Sequence, residues 1–80
     1  MLQVYLLQSL KDPSQYYVGA TADLDARIRK HNEGGSPYTS RFCPWKLTAS
    51  IRFEDDARAR QFERYLKTPS GRAFSARHFR

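Results

Sequence analysis

A strand that ends in glycine and runs directly into a helix constrains this chain most. It is Tyr16-Tyr17-Val18-Gly19, continued by Ala20 to His31. Tyr and Val suit a pleated, half-buried surface, and a glycine at such a place marks a strand end or a close approach. Thr21 is the expected N-cap of the helix. Asp23 and Asp25 then fall in its first turn, where the helix dipole favours negative charge. Arg29, Lys30 and His31 fill the last turn, and Asn32, Gly34 and Gly35 stop it. Leu24 and Ile28, four apart, give the helix an apolar stripe. Arg27 and His31, also four apart, share a face beside that stripe. A guanidinium and an imidazole at the edge of a core-facing stripe point toward a cleft.

The remaining segments arrange themselves around this unit. Leu2 to Leu7 reads as a first strand with Leu2, Val4 and Leu6 in phase. Lys11 to Gln15 is a turn cluster, so residues 2–7 and 16–20 are expected to pair as a hairpin. In it Tyr5 and Tyr17 each oppose the more apolar parity of their strand, which predicts that they stand on the same side of the sheet. Gly34 to Pro37 reads as a loop. Trp45 to Phe53 alternates apolar and polar throughout and predicts a strand with one polar face. Glu54-Asp55-Asp56 supplies the cap and acidic first turn of a helix reaching about Lys67. Ala59, Phe62 and Leu66 form its core stripe, and Glu63 lies beside that stripe. Pro69 and Gly71 are expected to break this helix. Ser70 is expected to cap a last short one, with Ala73 and Phe74 turned inward. The order β-β-α-β-α-α predicts an α+β fold on a small, mainly antiparallel three-stranded sheet flanked by helices.

Eighty residues make one small domain, spanning 1–80. Such a chain buries only about two-thirds of its unfolded surface, so its stability margin is thin. Five Tyr, five Phe and one Trp help offset that, because each ring buries a large area. Cys43 is the only cysteine, which excludes an intrachain disulfide and suits a reducing compartment. One Cys and two His in no ligand spacing argue against zinc. Cys43, His78 and Trp45 read as structural. The N-terminus has no basic segment and no small-residue cleavage site, and no run approaches a membrane span. The expectation is a soluble, cytoplasmic protein with no membrane partner.

Charge is uneven. Residues 1–40 hold four basic and four acidic residues, whereas residues 41–80 hold ten basic and four acidic. From Arg58 onward seven basic residues face one acid, Glu63. That is the electrostatic footprint of a polyanion binder, and Arg58, Arg64, Lys67, Arg72 and Arg77 are the candidate contacts to nucleic acid.

In their order and spacing these residues resemble the GIY-YIG nuclease domain. The two namesake motifs look like Gln3-Val4-Tyr5 and Tyr17-Val18-Gly19 on adjacent strands. The family's helix arginine matches Arg27, a frequent histidine one turn later matches His31, and the metal-binding glutamate matches Glu63 on the helix after the third strand. The pieces His31 to Gly34, Tyr38-Thr39 and Pro44 to Leu47 look like those of small stand-alone bacterial members. The chain is also similar to the N-terminal nuclease domain of an excinuclease. The match runs from about residue 3 to 68. Gln3-Val4 replace the Gly-Ile of the first motif. Many catalytic members also carry an asparagine near the domain's C-terminus. The only asparagine here is Asn32, and Ser70, Arg72 or Ser75 occupies that region instead.

The resemblance implies a metal-dependent endonuclease that hydrolyses DNA phosphodiester bonds, with a place in DNA repair or processing. Glu63 would hold one Mg²⁺ or Mn²⁺, a cation that needs only one or two carboxylates when water and phosphate complete its shell. Arg27 would brace the phosphate oxygens. Tyr17 would be general base with Tyr5 and His31 assisting, or the two tyrosines would exchange roles. All five residues are then expected to converge on one cleft. Each also has a plainer reading. The tyrosines can be a cross-strand packing pair, Arg27 a partner of Asp23, His31 a helix C-terminal cation, and Glu63 an ion-pair partner of Arg60 or Lys67. A non-catalytic nucleic-acid-binding module is the alternative on the same scaffold. Either way, selectivity would come from a protein partner or a homo-oligomer.

Overall fold

The computed structural model describes residues 1–80. In chain order the elements are β1 (Leu2–Ser9), β2 (Tyr16–Thr21), α1 (Leu24–Asn32), α2 (Pro37–Ser40), β3 (Trp45–Phe53), α3 (Asp56–Leu66) and α4 (Pro69–His78). The three strands form one antiparallel sheet in the order β2-β1-β3, so the first strand is the central one. The expected hairpin is present, with Tyr5 opposite Gly19 and Leu7 opposite Tyr17. Tyr5 and Tyr17 are therefore diagonal neighbours on one face.

Alternation along β1 divides the interior in two. Val4 packs with Ala20, Ala59 and Leu66, and Leu2, Val18, Phe53, Phe62, Phe74 and Phe79 close around them. This is the face covered by α3 and α4. Tyr5 and Leu7 pack instead with Trp45, against Tyr17, Leu24, Ile28, Phe42 and Cys43. This is the face covered by α1.

Several local expectations are corrected. Thr21 ends β2, and the N-cap of α1 is Asp23, whose carboxylate accepts from the Ala26 amide at 3.1 Å. Thr21 Oγ1 accepts from the Asp23 amide at 3.1 Å, so it supports the cap rather than being it. Pro37 does not end a loop but opens the one-turn helix α2, where its fixed φ is already helical.

At the C-terminal end, α4 is capped by Thr68, not Ser70: Thr68 Oγ1 accepts from the Gly71 amide at 3.1 Å. Gly71 does not break a helix. It lies inside α4, where a Cβ would collide with the Tyr65 carbonyl oxygen and the Leu66 Cα. Glycine is thus what allows α4 to fold back tightly on the end of α3.

The alternation of β3 is also interrupted. Leu6 opposes Ala49 but Leu7 opposes Leu47, so Thr48 is an extra, bulged residue. Ala49, Ile51 and Phe53 oppose Leu6, Val4 and Leu2 on the α3–α4 face. Leu47 and Trp45 oppose Leu7 and Ser9 on the other. A single apolar face running from Trp45 to Phe53 does not exist; the bulge sends Trp45 under α1 and α2.

Candidate active site

The α1 face of the sheet contains a hydrogen-bonded chain of buried polar groups. Tyr5 is 1% exposed and His31 2%. Tyr5 Oη lies 2.9 Å from His31 Nε2, and His31 Nδ1 lies 2.8 Å from Thr39 Oγ1. Thr39 Oγ1 in turn donates to the Ser36 carbonyl at 3.5 Å. Burial holds the His31 imidazole below its ordinary pKa, and the nearby Arg27 and Lys30 charges lower it further. His31 is therefore neutral at pH 7, not the helix C-terminal cation its position suggested. Burial also pushes the Tyr5 phenol up to about 12, reinforced by Tyr17 and Glu63 and opposed by Arg27. In a neutral ring one nitrogen donates and the other accepts, and because the Thr39 O–H is spent on the Ser36 carbonyl, Nδ1 is the donor. Tyr5 O–H donates to Nε2, Nδ1–H donates to Thr39, and Thr39 O–H donates to Ser36.

Each member is held by a local device. Tyr5 crosses over Gly19, where a Cβ would stand 2.5 Å from Oη. β2 does not end at Gly19 as expected but runs on to Thr21, and the close approach of Tyr5 is the reason a glycine stands inside the strand. Thr39 is fixed because its carbonyl accepts the Trp45 indole N–H at 2.9 Å. Asn32, at the end of α1, grips the same tryptophan. Its Oδ1 accepts from the Trp45 amide at 2.6 Å and its Nδ2 donates to the Trp45 carbonyl at 3.2 Å. Trp45 thus ties α1, α2 and β3 together beneath the chain, in keeping with the structural role read for it.

Tyr17 covers this chain. Its ring centroid lies 4.8 Å from that of His31 and 6.2 Å from those of Tyr5 and Tyr38. Arg27 is half-buried beside the Tyr5 hydroxyl, which its charge pulls downward in pKa. It makes no ion pair with Asp23, whose carboxylate is engaged as the cap of α1. Glu63, on α3, is near enough to Tyr5 for its carboxylate to raise the phenol. The Glu63 side chain is only 15% exposed and pairs with Arg60 at 3.4 Å and Lys67 at 3.2 Å. The structure therefore brings Tyr5, Tyr17, Arg27 and His31 together, while Glu63 on α3 pairs only with Arg60 and Lys67, and the five do not share one open cleft. Tyr5 and His31 lie beneath it.

An open cleft of about 330 Å³ does adjoin them. Tyr16, Tyr17, Val18, Tyr38, Leu66, Lys67, Arg72 and Arg80 line it. Of the five basic residues named from sequence, Lys67 and Arg72 stand here. Arg58 lines a separate groove with Phe53, Gln61, Phe62 and Tyr65, and Arg77 another with Ser70, Ala73, Phe74 and His78. Arg64 is exposed on α3. Among the residues at the place of the family's C-terminal asparagine, Arg72 reaches the cleft while Ser75 is buried with its hydroxyl unpartnered.

Thr39 and Asn32 were not singled out as site residues from sequence. The signal available was their place in the His-Asn and Tyr-Thr pieces flanking the Gly34-Gly35 turn. No set of three His, Cys, Asp or Glu side chains is placed to cage a metal. One partly buried carboxylate is a donor set that fits a hard cation retaining most of its water, not zinc.

The GIY-YIG catalytic domain family model matches residues 1–76. Structure-specific endonuclease subunit SLX1 of Scheffersomyces stipitis is 42% identical over 67 residues, 75% of this chain and 20% of the relative. Its counterpart in Debaryomyces hansenii is 33% identical over 84 aligned residues, 96% of this chain and 23% of the relative. That of Talaromyces marneffei is 40% identical over 65 residues, 74% and 17% respectively. The chain thus spans about a fifth of the length of these fungal relatives. With the family model covering nearly its whole length and the sheet, α1 and α3 carrying the matching residues, the chain belongs to the GIY-YIG catalytic domain family.

Proposed function

We propose that this chain is a metal-dependent endonuclease that hydrolyses DNA phosphodiester bonds, with structured DNA as its substrate class. The observation that carries the reading is the buried Tyr5–His31–Thr39 chain set beneath Tyr17, with Arg27 and Glu63 at its edge. Groups of these types are more than a core needs, because buried polar groups cost stability unless satisfied.

The roles divide by environment. Tyr5 keeps its proton far above neutral pH and spends it on His31, so it positions rather than abstracts. Tyr17 is the more exposed phenol, bordered by both the buried chain and the open cleft, and is assigned as general base toward the attacking water. Arg27 braces the non-bridging phosphate oxygens, for which a planar guanidinium is suited. Glu63 is the carboxylate that would hold Mg²⁺ or Mn²⁺. When bound, such an ion supplies charge stabilisation at the leaving oxygen. The pairs of Glu63 with Arg60 and Lys67 orient its carboxylate at little cost to dislodge, since exposed cations contribute only about 0–1 kcal/mol each.

The relatives are named as subunits of a structure-specific endonuclease. We extend that to this chain: a protein partner or a second copy supplies selectivity among DNA structures. The deciding experiment incubates the protein with supercoiled plasmid and with branched duplexes, with Mg²⁺, Mn²⁺ or chelator. Cleavage should need the ion. Glu63→Gln should stay folded, stop cutting and bind DNA at least as tightly, because a negative charge near phosphate is gone. Salt-sensitive binding without cleavage by the unaltered protein would leave the non-catalytic binding module instead.

A further inference from the structure

We infer that the cleft beside Tyr17 is a binding site for one unpaired nucleotide of single-stranded DNA, whose base stacks on Tyr38. The inference rests on the reading that the adjoining site acts on DNA, and it specifies what part of that DNA the protein holds. Tyr38 is 58% exposed and belongs to neither half of the core. Its backbone is nevertheless anchored. The next residue, Thr39, is fully buried, bonded to His31 and tied to Trp45, so α2 is anchored and turns Tyr38 outward. An aromatic side chain on an anchored turn has only two side-chain torsions to lose when another ring packs on it.

The chemistry around Tyr38 completes the case. Lys67, Arg72 and Arg80 bring three positive charges to the same cleft. Arg80 already lies over the Tyr16 ring, 4.0 Å from its centroid, whereas Tyr38, tilted against Tyr17 at 6.2 Å, keeps more than half of its surface open to a base. Stacking on an aromatic side chain combined with backbone-tracking cations is the recurring design of single-strand binding. A base within a duplex has both faces covered by its neighbours and cannot offer one to Tyr38; an unpaired base can. The cleft also touches the reactive groups on two sides. Tyr17 is in its wall, and Lys67 in its wall pairs with Glu63.

The test reads binding in chelator, where no cleavage occurs, at one fixed salt concentration. Short oligothymidine and a duplex of equal length are titrated with the unaltered protein, Tyr38→Ala and Tyr38→Phe. Tyr38→Ala should weaken single-strand binding about tenfold, in the range measured for loss of one stacked base, and leave duplex binding within about twofold. Tyr38→Phe keeps the ring and should bind as the unaltered protein does. An oligonucleotide carrying 2-aminopurine should be quenched on binding by the unaltered and Phe proteins and not by the Ala protein. Equal loss for single strand and duplex, no loss, or no quenching would overturn the inference. Cleavage with Mg²⁺ is scored separately: its absence beside intact, Tyr38-dependent stacking overturns the nuclease reading and supports the nucleotide site.

Discussion

Strand β1 sends Val4 and Leu6 to one face of the sheet and Tyr5 and Leu7 to the other, and the two faces are completed differently. Toward α3 and α4 the contacts are apolar: Val4, Ala20, Ala59 and Leu66 inside a ring of phenylalanines. Toward α1 and α2 the interior contains a phenol, an imidazole, a hydroxyl and an indole, each bonded to the next element. Apolar packing is non-directional, so the first face stabilises without specifying any one atom's position. Hydrogen bonds in a dry interior are directional and costly to leave unmade, so the second face places individual atoms. The contrast teaches that alternate residues of one strand serve an apolar core on one side and a hydrogen-bonded polar chain on the other.

Substitutions at single positions should separate the two faces. The largest effect is expected from Tyr17→Phe, which keeps the ring that packs on His31 and removes only the hydroxyl. Cleavage of supercoiled DNA should fall about 100- to 10,000-fold, the range for loss of a general base. The urea midpoint should barely move. If both fall together, Tyr17 is a packing residue and the division of labour fails.

Leu6→Ala is the reverse. Leu6 is buried opposite Val18 and Ala49 on the apolar face. Its truncation should cost about 2–5 kcal/mol in equilibrium unfolding. Cleavage per folded molecule should stay near that of the unaltered protein at temperatures where the variant is folded.

His31→Gln falls between. It leaves Tyr5 Oη and Thr39 Oγ1 short of a partner, so stability should drop by about 1–3 kcal/mol, and cleavage should weaken as Tyr5 and Tyr17 lose their support. Retained cleavage with lowered stability would reduce His31 to a structural residue.

The smallest effect is a pH dependence. The folded pKa of His31 lies below its unfolded value of 6.5. Below that value the unfolded chain takes up protons that the folded chain resists. Stability from this residue is therefore fully present above pH 6.5 and is lost as the pH falls through the lower, folded pKa. Urea titrations at descending pH should show a decline that His31→Gln flattens. An identical decline in the variant would assign it to other groups.

Much of this molecule is readable from local pattern. Periodicity marks the strands and the core stripes of α1 and α3, and parity in the hairpin brings Tyr5 and Tyr17 to one face, because alternation and helical repeat are properties of neighbouring residues. One-turn spacing likewise places Arg27 and His31 together. Caps were less readable: Thr21 and Asp23, or Thr68 and Ser70, are equally good cap residues within two positions of each other, and only the path of the backbone chooses between them.

Contacts between distant residues decided the rest. The Thr48 bulge depends on how β3 meets β1, and it moves Trp45 beneath α1 and α2 despite an unbroken alternation in sequence. Gly71 reads as a helix breaker, yet the approach of α4 to the end of α3 makes it the residue that permits the helix. His31 reads as a cation at a helix end. Burial and two hydrogen bonds, to residues 26 and eight positions away, make it a neutral link instead. Sequence determined which side chains share a face of β1, β2, α1 and α3, since that follows from backbone period. Tertiary structure decided their burial, partners and protonation, since desolvation and hydrogen bonding act through space.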